Sequence, residues 1–306
     1  MLYNFLNSHK NSHLFVLYGV GVLQLIIYRY ILIGLPIGLW SLLESVWMCF
    51  LLLINIFTIN LIIRKNQLSE GHFLVVFFWI VQGMYFPELY RDSTVMIAQS
   101  CILFVIYQIM QLHNIADGRQ AFFDISLLIF LASLFFLPSL LALLLLWIQI
   151  FISPGNKFRN FLIPITTFAL LFVFLLSIFL VIDKQELLFA HFYYLPNFDF
   201  SLFLHYKYLP LIGLLLFNLL VSTWLLKKRY KRYYSGFLVS LLLVGVVGII
   251  LYDIKNAVGW LYLSFPTALS SMLLIEWIER RWLRELLLWL YVCMLVLPFF
   301  FRDYLL

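Results

Sequence analysis

Three charged residues stand together in "PELYRDSTVMIA" (87–98), a short break between the apolar runs "FLVVFFWIVQGMYF" and "QSCILFVIYQIM". Their types allow a definite chemistry. Asp92 precedes the helical run "STVMIAQSCILF", where an aspartate suits the N-cap and the positive end of the helix dipole. An arginine beside such a helix start, here Arg91, combines free backbone donors with a planar guanidinium and so can hold a phosphate. A carboxylate next to that phosphate, Asp92 or Glu88, could serve as general base toward an acceptor hydroxyl. Tyr90, between them, is a candidate contact for the bound phosphate or its lipid. The same residues also read as a salt-bridged turn at headgroup level, with Asp92 a simple cap.

Glu44 is the third candidate acid. It lies in "GLWSLLESVWMCFLLL", and an ionisable group inside an apolar span is a functional-site hypothesis by default. If it faces the bundle, Arg91 or Arg29 is its expected partner; otherwise it reaches interfacial water. Lys255, with Asp253 in "DIKN", lies near the ends of two later spans and could join the same cluster as a phosphate contact. No metal is expected, because His191 and His205 are widely separated and lack a clear third partner. Cys49, Cys101 and Cys293 sit singly in apolar runs, as small packing residues do.

The elements that position these side chains follow from composition. Of the 306 residues, 65% are hydrophobic, 19% aromatic and 11% charged, against about one quarter charged in an ordinary soluble domain. Lipid is therefore the expected solvent. Backbone groups in lipid must pair internally, and long unalternating apolar runs mean helices rather than a barrel. The expected fold is all-α, one polytopic membrane domain over 1–306. Eleven candidate spans are read at 14–34, 40–63, 72–86, 94–112, 121–136, 139–152, 161–182, 209–226, 236–252, 257–275 and 286–300. Pro138 in "FFLPS" breaks 121–152, which stands as two short spans, a shallow hairpin or one kinked helix.

With the N-terminus placed in the cytoplasm, only Arg29, Arg91, Lys184, Lys207, Lys255 and Arg302 of the 20 Lys and Arg fall outside. That positive-inside bias favours two crossings in 121–152. Basic loops facing anionic lipid explain the net charge of +6 without a nucleic-acid partner. "KKRYKRYY" and "EWIERRWLRE" are then inner-face topology determinants. The outer segment 183–208, with nine Phe or Tyr residues, is expected to lie along the interface as one or two short helices, either anchoring the bundle or covering a lipid groove. The polar groups Asn55, Asn60, Gln82, Gln108, Gln149 and Asn218 suit hydrogen bonding between helices. A transporter would show more ionisable groups near the midplane.

The order of "YRDSTVMIAQSCILFVIYQIM", "AFFDISLLIFLASLFFLPSLLALLLLWIQIF" and a long following span, about 90–180, resembles the membrane core of GT-C-type glycosyltransferases that use polyprenyl-phosphate sugars. In that family an outward aspartate often opens a span, and a hairpin similar to "FLASLFFLPSLL" follows two spans later. The resemblance implies transfer of a sugar from a polyprenyl-phosphate donor on the outer side, with Asp92, Glu88 or Glu44 as base and Arg91 on the phosphate. The first outer loop here is only "LPIGL", without the family's catalytic acid, and no lysine stands beside Pro138. The chain also looks like a group of bacterial inner-membrane proteins, a likeness from which a bacterial inner-membrane location is expected but no activity follows. The alternative function is a non-catalytic subunit or scaffold of a cell-envelope complex, in which these acids pair locally and the partners are lipid and envelope proteins.

Overall fold

A computed structural model describes residues 2–6, 11–68, 72–83, 88–112, 118–152, 158–193, 232–251 and 258–294. Among the described residues every regular element is helical. The helices are α1 (Leu2–Leu6), α2 (Asn11–Ile26), α3 (Leu39–Asn66), α4 (His72–Gly83), α5 (Glu88–Arg91), α6 (Ser93–Gln111), α7 (Arg119–Phe135), α8 (Ala142–Ile152), α9 (Phe158–Val181), α10 (Gln185–Phe192), α11 (Arg232–Leu251), α12 (Val258–Trp277) and α13 (Arg281–Met294). A π-helical turn, Ile27–Leu32, extends α2, and a 3-10 turn, Leu137–Leu141, precedes α8. Helices stand at ten of the eleven expected spans; segment 209–226 lies outside the described residues.

Among the described residues four helices are long and apolar enough to cross a membrane: Ser12–Ile31, Leu39–Asn66, Ser93–Gln111 and Arg159–Val181. Phe73–Gly83, Leu137–Ile152 and Gly236–Gly248 are apolar but shorter. The 28 residues of α3 extend roughly 42 Å at the usual rise, more than the hydrocarbon core of about 30 Å. Its start is set by Gly38, whose amide donates to Ser41 Oγ at 3.1 Å. Its end is set by Gln67, in the left-handed region at φ 50°, after Arg64 and Lys65 in the last turn, where cations suit the helix dipole.

A helix that is apolar all round belongs in the interior. Every residue of α4 from Phe73 to Gly83 is buried, as is almost all of α12 from Leu261 to Leu273. These two helices pack against each other, and α2, α3, α11 and α13 surround them. A side chain added at Gly245 on α11 would stand 2.5 Å from Leu263 on α12, so glycine is what lets these two helices approach so closely. The outward surfaces of α2, α3 and α9 are apolar too, with Leu23, Trp40, Val46, Leu170 and Phe174 exposed. That pattern fits lipid as the surrounding medium.

Helical continuity is interrupted inside 121–152. Phe136 is extended, the 3-10 turn follows, and α8 then packs back on α7, so the segment is two helices rather than one kinked helix. Tyr262 of α12 donates to the carbonyls of Pro138 and Ser139 at 3.1 and 3.0 Å. It satisfies acceptors that a regular helix would have paired internally. Between helices, Gln82 accepts from Thr267 at 2.8 Å, Gln99 donates to Ser264 at 3.2 Å and Gln149 to Ser240 at 3.4 Å. Of the three expected glutamines, Gln82 and Gln149 thus make interhelical bonds. Asn55 is buried with neither side-chain atom bonded among the described residues, and the oxygens of Asn60 and Gln108 also lack partners there; Asn218 lies outside those residues. Tyr262→Phe is expected to lower stability by about 1–2 kcal/mol, read by thermal unfolding in detergent.

Candidate functional site

The described residues of the charged cluster meet where three helical segments end. The π turn at the end of α2 carries Tyr28, Arg29 and Tyr30; the second turn of α3 carries Glu44; the first residue of α6 is Ser93. Arg29 is 1% exposed, and its Nη2 lies 2.6 Å from Glu44 Oε2, whose side chain is 36% exposed. The other oxygen, Oε1, accepts from the Ser93 backbone amide at 3.2 Å. Arg29 Nη1 also contacts the Met48 sulfur. One carboxylate therefore neutralises a buried guanidinium and caps the start of α6 from another helix.

The π geometry adds a residue per turn and changes which faces successive side chains reach. Around it, Arg29 reaches Glu44 on α3, and Tyr30 lies 3.0 Å from Ser45 Oγ on the same helix. Tyr28 packs its ring against Tyr90 of α5, centroids 5.4 Å apart. The Ile33 and Leu35 amides close the turn on the carbonyls of Tyr28 and Arg29 at 2.9 and 3.0 Å.

Arg29, one of the two partners expected for Glu44, is bound to it. Asp92 is extended and exposed at the N-cap position of α6, but its side chain makes no capping bond; the Glu44 carboxylate bonds the Ser93 amide instead. Tyr90 is buried, so its ring contributes packing at this junction. Glu88 and Arg91 bound the single turn α5, which packs against α6 and the π turn. Lys255 and Asp253 lie outside the described residues. In segment 183–208, α10 forms a short helix as expected, and His191 shares a 2.9 Å hydrogen bond with the Ser133 carbonyl near the end of α7; His205 lies outside the described residues. No three His, Cys, Asp or Glu side chains gather to hold a metal among the described residues.

Arg29 is legible by the same signal as Glu44, a charge inside an apolar segment. The Ser93 amide and the Tyr28 ring carry no such signal, since any residue supplies an amide and tyrosine is common in membrane interfaces.

Comparison with known proteins finds no matching family model, curated protein or solved structure. The apolar helices are compatible with an integral membrane protein in contact with lipid. Glu44→Ala is expected to cost about 1–3 kcal/mol, because it strands the buried Arg29 charge while Glu44 itself is partly solvated. Arg29→Met with Glu44→Leu should cost less than Glu44→Ala alone, since no unpaired charge remains. Chemical unfolding of the two variants in detergent checks the order.

Proposed function

We propose that this chain is an integral protein of the bacterial inner membrane that works as a non-catalytic subunit or scaffold in a cell-envelope assembly. It crosses about eleven times with its N-terminus in the cytoplasm, following the positive-inside distribution of its charges. The observation that supports the scaffold reading is the state of Glu44. Both of its oxygens are engaged, one by Arg29 and one by the Ser93 amide. A carboxylate so held is a structural tie between helices, its position set by an arginine and a backbone amide of the chain itself.

A second reading, a transferase using a polyprenyl-phosphate sugar, draws on a different observation. Asp92 is exposed at the start of α6 and its side chain makes no capping bond there, so a carboxylate stands available beside the Arg29–Glu44 pair. In that reading Asp92 is the base, with Glu88 the neighbouring alternative. Arg91 and Lys255 contact the phosphate, while Glu44 and Tyr90 position the helix end.

Mass spectrometry of the purified chain with its bound lipids separates the two. The scaffold reading predicts bulk phospholipid alone, equal in wild type and Arg91→Ala, together with a reproducible envelope protein that co-purifies with both. Retention of a polyprenyl phosphate by wild type, lost in Arg91→Ala, would contradict it and establish the transferase reading as the basis for donor assays with Asp92→Asn.

A further inference from the structure

At a separate place in the fold, α1 and the first turns of α13 enclose an open cavity of about 490 Å³ lined by Tyr3, Asn4, Arg281, Trp282, Arg284 and Glu285. That volume falls within the roughly 300–1,000 Å³ typical of small-ligand sites. Two guanidinium groups face it against one carboxylate. Glu285 accepts the Tyr3 amide at 3.1 Å, which ties α1 to α13. The Arg284 guanidinium lies over the Tyr3 ring, 4.4 Å from its centroid, and its Nη2 donates to the Glu279 carbonyl at 3.4 Å. Its Nε is buried and has no hydrogen-bond partner among the described residues. Arg281 is exposed at the start of the helix.

The wall is well anchored. Leu288 is buried, Tyr291 lies 3.1 Å from Ser271 of α12 through their hydroxyls, and its ring meets Phe78 of α4 edge-on at 4.7 Å. From Trp282, which also lines the cavity, the side of α13 away from Leu288 and Tyr291 is apolar and exposed. Trp282, Leu286, Trp289 and Leu290 recur there at helical spacing. A helix with arginines at one end and an exposed tryptophan–leucine stripe along its length matches a lipid molecule end for end.

We propose that this cavity binds the phosphate of an anionic phospholipid, with Arg281 and Arg284 on the headgroup and the acyl chains along the α13 stripe. The charge distribution decides the occupant. A zwitterionic lipid brings its own cation and gains less from two arginines than an anionic one does. The site is independent of the Arg29–Glu44 junction and does not rest on the scaffold reading.

The test is native mass spectrometry of the full chain in detergent with equal amounts of dioleoyl phosphatidylglycerol and dioleoyl phosphatidylcholine. Wild type should retain phosphatidylglycerol about tenfold over phosphatidylcholine, and Arg281→Gln with Arg284→Gln should bring the two within about twofold. Arg281→Glu alone, which leaves the Arg284–Tyr3 contact in place, should also lose most of the preference and guards against misfolding of the double variant. Equal retention by wild type, or an unchanged preference in the folded Arg281→Glu protein, would overturn the proposal. Millimolar inorganic phosphate should leave the phosphatidylglycerol adducts intact; their displacement would assign the site to free phosphate and overturn the lipid assignment.

Discussion

A guanidinium out of water must find a counter-charge or cost the fold several kcal/mol. Arg29 is almost wholly buried, and Glu44 is the group that answers it. Because the Glu44 carboxylate also accepts the Ser93 amide, the same requirement fixes where α6 begins. Three parts of the chain are thereby joined at one end: the π turn after α2, the second turn of α3 and the start of α6. The Tyr28–Tyr90 contact adds α5 to the junction. The hydrophobic effect does not select one arrangement of apolar helices in an apolar solvent, so polar ties of this kind and close packing must do so.

The remainder of the bundle uses the same means with neutral groups. Thr267 to Gln82, Gln99 to Ser264 and Gln149 to Ser240 each link two helices. Tyr262 closes the break at Pro138 from across the core. The ties lie on the inward faces, while leucine, phenylalanine and tryptophan face outward on α2, α3 and α9. The division resembles a soluble protein inverted in its surface alone: the interior remains close-packed, but the exterior matches hydrocarbon.

Much of this architecture is legible in the amino-acid sequence. Long apolar runs specify helices because backbone groups in lipid have no other partner, and ten of the eleven expected segments coincide with helices. Glu44 and Arg29 stand out because charge is rare in such runs. The geometry that joins them is not legible in the same way. The π turn depends on one extra residue per turn, which composition does not encode. Asp92 occupies the expected N-cap position, yet a carboxylate supplied from α3 bonds the first amide of α6, and only tertiary packing decides that competition. The cavity between α1 and α13 is likewise hidden, since "EWIERRWLRE" reads as a charge run whether or not a short N-terminal helix folds over it.

The central claim is that Glu44 holds the start of α6 in place through Arg29 and the Ser93 amide. Amide hydrogen exchange resolved to the first turn of α6, in wild type and Glu44→Ala at equal detergent and pH, tests it most directly. The account predicts faster exchange in that turn for the variant, with α9, which has no part in the junction, unchanged. Identical protection of Ser93 and its neighbours in both proteins would contradict it.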